Sequence, residues 1–196
     1  MRQNGARRAR RLGVPILALV SLWSCSSGDE ESDLPPPFAA FTLDCSGVAA
    51  AAPDQVRMGC PASSSQTLAV QVLIDGPTSS SDVYGVKFDL VFDSESLRYL
   101  PPAVEGVFLN KDGGGTILEA DISGSDPDRL VVALTRQGAV PGVQATGSGE
   151  LVMTLLFSGV LRRTSTITFD NAAAVDSNLV TIPAIQFQGP LTVTVR

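Results

Sequence analysis

Histidine is missing from all 196 residues of the chain. That absence removes the commonest general base, the usual imidazole metal ligand and the ordinary switch between pH 5 and 8. It argues against an enzyme. Aromatic residues make up only 6% of the sequence, and the single tryptophan, Trp23, lies near the N-terminus. Beyond it only Tyr84, Tyr99 and phenylalanines remain for stacking on a sugar face, and most of the phenylalanines fall on inward positions of the strand pattern. No G-x-S-x-G elbow occurs, so serine-hydrolase chemistry has neither its nucleophile turn nor its base. The many acids sit mostly in turn signals, with nothing to pair two of them across a cleft for glycoside hydrolysis.

What is present points to strands. With 44% hydrophobic residues, 18 Gly and 13 Pro, the chain can fill one core and make many turns, and its length suits one domain with appendages. Residues 83–100 read VYGVKFDLVFDSESLRYL. Val86, Phe88, Leu90 and Phe92 recur at every second position, the period of a half-buried strand, and Asp93 to Ser96 carry turn chemistry before the apolar pattern resumes.

The N-terminus reads as an export signal. Five arginines, Arg2, Arg7, Arg8, Arg10 and Arg11, precede an apolar run over residues 14–23 that is too short to span a bilayer as a stable helix. The run ends Leu22, Trp23, Ser24, Cys25, which resembles a bacterial lipobox. That resemblance implies lipid attachment at Cys25, a mature chain starting there and, with Ser26 following, sorting to the outer membrane. Trp23 departs from the small residue usual at its place, and an ordinary signal peptide with Cys25 incidental is the alternative. Three cysteines leave an odd one in an exported protein, so a lipidated Cys25 leaves Cys45 and Cys60 to close a disulfide in an oxidising compartment. Two free thiols are the alternative.

Removing residues 1–24 takes five of the 14 Lys and Arg and none of the 20 Asp and Glu, leaving nine against twenty, a net charge of −11. Such a surface disfavours nucleic acid and anionic lipid. Membrane contact is then left to the lipid anchor. Residues 25–37 are acidic, serine-rich and proline-rich, the composition of a tether. Residues 38–65 read as an irregular lead-in held by the disulfide, with a short edge strand around Phe38, Phe41 and Leu43.

Residues 66–196 carry the regular pattern. Leu68, Val70, Val72 and Ile74 alternate until Asp75, Gly76 and Pro77 stop the strand. Pro101 and Pro102 are expected to break the chain, with strands over 104–109 and 116–122 joined by the glycine turn at 110–115. Further strands are expected at 130–134, 151–157, around Ile167 and Phe169, and at 191–195, with Gly189 and Pro190 marking a bulge. Strands at this spacing argue for an all-β sandwich or barrel.

Four segments taken together, FDLVFDSESLRYL, GSGELVMTLLFSG, STITFDNAAAVDSN and LTVTV, resemble the ordered strands of cohesin domains. The resemblance covers residues 66–196 and implies a nine-stranded jelly-roll β-sandwich of the cohesin and carbohydrate-binding-module type that works by binding. It implies a protein partner, the calcium-loaded dockerin module borne by polysaccharide-degrading enzymes, docking on the flat outer face of one sheet. On that reading Lys87, Asp89 and Val91 belong to the partner-binding face. An ordinary solvated face is the competing interpretation of these three residues, and a carbohydrate-binding module on the envelope is the alternative function. No cofactor is expected. Asp112, Asp121, Asp126 and Asp128, like Asp170, Asn171, Asp176 and Asn178, have no calcium-loop spacing and read as turn-forming and solubilising residues.

Overall fold

Alternation with period two runs through the chain as two packed sheets. The computed structural model describes residues 41–61, 65–76 and 82–196. The chain divides into two units, Met1–Phe38 and Ala39–Arg196, and every described residue belongs to the second. Cys25, the export signal and the tether lie outside the described residues.

Eleven strands and no helix occur among the described residues. They are β1 (Leu43–Ser46), β2 (Gln55–Gly59), β3 (Thr67–Asp75), β4 (Gly85–Val91), β5 (Leu97–Glu105), β6 (Thr116–Ser123), β7 (Asp126–Arg136), β8 (Glu150–Gly159), β9 (Thr164–Val175), β10 (Gln186–Gln188) and β11 (Leu191–Val195). One sheet has the order β1-β11-β9-β4-β7-β6, the other β10-β2-β3-β8-β5. All pairings are antiparallel except that of β10 with β2. This is the all-β sandwich that the alternation predicts.

The core lies between the inner faces. Val86, Phe88 and Leu90 of β4 are at most 2% exposed, and Val70, Val72 and Ile74 of β3 are fully buried. Each such side chain contributes about 1.5–3 kcal/mol of transfer free energy. Phe88 meets Phe169 edge-on at 5.1 Å between centroids, and Phe169 meets Phe187 at 5.3 Å, a geometry that sets ring edge against ring face. Among the described residues every phenylalanine and tyrosine is buried or half-buried.

Several expectations need correction. Eleven strands are close to the nine the resemblance implies, and residues 41–61 are more regular than the expected lead-in: the short edge strand expected around Leu43 is β1, paired with β11, and β2 pairs with β3. Leu43, Val56 and Met58 are buried, so the sandwich begins well before residue 66. These strands of four and five residues are too short to announce a period, and distant partners stabilise them. Cys45 and Cys60 are bonded, with Cα atoms 6.7 Å apart, inside the span a disulfide can bridge.

Pro101 and Pro102 do not end a strand. β5 runs through both, with its register against β8 shifted between Leu100 and Val104. The strand lies at a sheet edge, where a missing N–H breaks no ladder bond. The strand expected at 104–109 stops at Glu105, and Phe108 and Leu109 instead turn fully into the core. Gly189 and Pro190 are not a bulge but the step by which the chain leaves one sheet at β10 and enters the other at β11.

Candidate functional site

Because Val86, Phe88 and Leu90 point inward, Lys87, Asp89 and Val91 necessarily face outward. They stand on the outside of the six-stranded sheet, flanked on both sides. Lys87 pairs with Ala133 of β7 and Ala173 of β9, Asp89 with Val131 and Asp170, and Val91 with Arg129 and Thr168. Beyond β7, the register brings Ile117, Glu119 and Asp121 of β6 opposite Thr135, Ala133 and Val131. The result is a continuous four-stranded outer surface over β9, β4, β7 and β6.

Its electrostatics differ from those of an ordinary solvated sheet. Arg129 donates from Nη1 to Asp89 Oδ2 at 2.6 Å and to Asp170 Oδ2 at 2.7 Å, and from Nε to Asp126 Oδ2 at 3.3 Å. Asn171 Nδ2 donates to the same Asp89 oxygen at 2.8 Å. This geometry depends on β9, whose pairing with β4 slips between Lys87 and Asp89 and whose Asn171 has φ 47°. Asparagine tolerates that left-handed conformation better than most residues, and the bulge turns its amide toward Asp89. Asp170 first and Asp89 second hold the Arg129 guanidinium above its ordinary pKa. In return, Arg129 together with the Asn171 amide holds the Asp170 carboxyl below the usual carboxylate range.

Asp89 is therefore held within the ion cluster, with only 13% of its side chain exposed. Lys87 is exposed and has no ion-pair partner among the described residues. Apolar side chains supply the rest of the face, with Val131 at 47% and Ile117 at 44% exposure. Sequence reasoning named Lys87, Asp89 and Val91 but missed Val131, Ile117 and Arg129. A signal for Val131 exists in LVVAL: if Leu130, Val132 and Leu134 point inward, Val131 and Ala133 are apolar residues on the outside.

Of the acidic residues weighed for metal binding, Asp126 and Asp170 meet at Arg129 and the others are dispersed. Asp112 is bound by Arg136 Nη2 at 2.7 Å and by the Gly114 amide, and Arg136 first among these holds its carboxyl low. Asp128 accepts from the Ser94 amide at 2.9 Å, Asp126 serves Arg129, and Asp121 lies on the outer face. Asp176 caps its own turn through the Asn178 and Val180 amides, and Asn178 is exposed. Among the described residues no group of three or more metal-ligating side chains converges.

No family model matches the chain, and no curated protein matches it in sequence. Solved structures do. A type II cohesin domain from the cellulosome of Acetivibrio cellulolyticus superposes with a TM-score of 0.54 and 15% identity, over 74% of this chain and 95% of that one. The fold is cohesin-like. The second type II cohesin module of the adaptor ScaA scaffoldin of the same organism gives 0.51 and 12% identity over 79% and 97%. A type II cohesin–X-dockerin complex, also from Acetivibrio cellulolyticus, gives 0.52 and 13% over 69% and 95%. This cohesin-like sandwich thus covers nearly the whole of each module it resembles.

Proposed function

We propose that this chain is a non-catalytic cell-envelope lipoprotein whose cohesin-like sandwich binds another protein through the outer face of β9, β4, β7 and β6. The observation that carries the reading is the face itself. Exposed Val131 and Ile117 share the face with Lys87, which has no ion-pair partner among the described residues, and the ion cluster on Arg129 stiffens the same strands. Apolar residues on a strand face that would otherwise be solvated, rimmed by charge, are the usual mark of a contact surface. The cohesin–X-dockerin complex supports a dockerin-like module as the partner class, and a link to polysaccharide degradation is part of the proposal. Lipidation at Cys25 would hang the module from the outer membrane by residues 25–37.

The test compares the wild-type chain with a Lys87→Glu/Val131→Arg double variant. Both replaced side chains face solvent, so circular dichroism and the urea midpoint should be unchanged. Titration calorimetry against a panel of calcium-loaded dockerins should give saturable binding for the wild type, reduced at least tenfold in the variant. Equal binding by both proteins refutes the face, and binding of insoluble polysaccharide without any dockerin moves the assignment to the carbohydrate-binding alternative. The anchor is tested separately, since palmitate labelling should disappear in Cys25→Ala.

A further inference from the structure

Each sheet of a sandwich leaves two edges, and an edge presents unpaired backbone N–H and C=O groups that must be protected. Here β1 has four residues and β10 three, too short to template a partner. β5 carries Pro101 and Pro102, which cannot donate to a ladder. β6 has eight residues, no proline, and β7 as its sole ladder partner among the described residues. It is the one long unguarded edge in the described sandwich.

A cavity of about 320 Å³ runs along that edge. Its walls are Pro101, Pro102 and Ala103 of β5 and the four consecutive residues 118–121 of β6. Consecutive residues point to opposite faces of a strand, so a cavity touching all four lies against the backbone edge. Leu118 and Ala120 make its inner wall apolar, and Glu119 and Asp121 make its outer rim acidic. Tyr99, 7% exposed, lies near Ala103 and Asp121 of its walls. Burial first raises the Tyr99 pKa, opposed by a backbone hydrogen bond at Ala103 and assisted by the charge of Asp121.

We propose that the β6 edge is a strand-addition site for an extended peptide segment alternating basic and apolar residues. Main-chain hydrogen bonds to β6 extend the six-stranded sheet by one strand. Basic side chains two apart meet Glu119 and Asp121 on the outer face, and the intervening apolar side chains enter the cavity between β6 and β5. A second copy of this chain is a poor occupant, because antiparallel pairing of β6 with itself brings acids against acids. Its main-chain hydrogen bonds lie at the edge and not on the sheet face assigned to the partner, although Glu119 and Asp121 also belong to the β6 part of that face.

Fluorescence anisotropy on the full chain tests it with four probes: an eight-residue lysine–valine alternating peptide, its glutamate–valine counterpart, and two isomers of the first N-methylated at alternate positions. The expected result is saturable binding of the lysine–valine peptide, none of the glutamate peptide, and loss of binding for only the isomer methylated on the ladder side. Glu119→Lys should weaken binding at least tenfold. Glu95→Lys, the same charge change on an exposed turn residue, should weaken it less than twofold, and Lys87→Glu should leave it intact. Equal effects of Glu119→Lys and Glu95→Lys, or equal binding by both methylated isomers, would show general attraction to an acidic protein and overturn the proposal.

Discussion

Asp75 is the carboxylate whose removal from water should matter most. It is 1% exposed, at the end of β3. Arg57 of β2 donates to it from Nε at 2.7 Å and Nη2 at 3.3 Å, and the Gly149 amide and Ser148 hydroxyl donate at 2.6 Å and 3.1 Å. The cluster ties β2, β3 and the entry to β8 together. Replacing Arg57 with Met keeps most of the side-chain packing but leaves a buried charge without its counter-ion, a change worth about 3–5 kcal/mol. A domain of this size has about 5–15 kcal/mol in all. At a urea slope of about 2 kcal/mol/M, the midpoint should fall by roughly 2 M. Asp75→Asn should cost less, because an amide oxygen still accepts from Gly149 and Ser148, and Arg57, with 12% of its side chain exposed, can reach water. Urea titrations of both variants and of the double variant close a thermodynamic cycle. A loss below about 1 kcal/mol for Arg57→Met, the value of a surface pair, or a larger loss for Asp75→Asn, would refute the reasoning.

Three further outcomes follow from the same structure. Replacing Cys45 and Cys60 together with Ser should lower stability by about 3 kcal/mol, from the freedom returned to an unfolded loop of 15 residues, read as a lower midpoint relative to the oxidised wild type. Gly106→Ala should destabilise by about 1–3 kcal/mol or more, since its methyl would lie 2.1 Å from the Leu151 carbonyl oxygen; an unchanged melting temperature would contradict that contact. Hydrogen bonds hold the carboxyls of Asp82, Asp93, Asp112, Asp128 and Asp170 below their ordinary range, Ser177 and Ser96 acting first on Asp82 and Asp93. Depressed carboxylates stabilise the fold fully above the unfolded value near 4 and lose that contribution as pH falls through the folded values. With no histidine in the chain, the urea midpoint should be flat from pH 6 to 8 and drop below pH 4; a midpoint that rises on acidification would contradict the assignment.

Period-two alternation made β3, β4, β7 and β8 legible, because each is long enough to repeat its pattern several times and one face of each is buried. The same alternation put Lys87, Asp89 and Val91 on an outer face before any neighbour was known. β1 showed only as a short edge strand around Leu43, and β2 and β10 were illegible for the opposite reason: three to five residues carry no measurable period, and their conformation depends on ladders to strands far along the chain. The prolines of β5 misled because proline forbids a ladder bond, not an extended backbone, and only the strand's position at an edge reveals that no bond was required.

The amino-acid order by itself determined the class of fold, the side of each long strand that faces the core, and the lack of any imidazole chemistry. Tertiary structure alone decided that Arg129 gathers Asp89 from 40 residues away and Asp170 from 41, that Asp75 is buried against Arg57, and that β6 is left with an open edge beside a cavity. Local pattern reports which way a side chain points. Which strand lies alongside, and in what register, is set by the packing of whole sheets and is written in no single stretch of sequence.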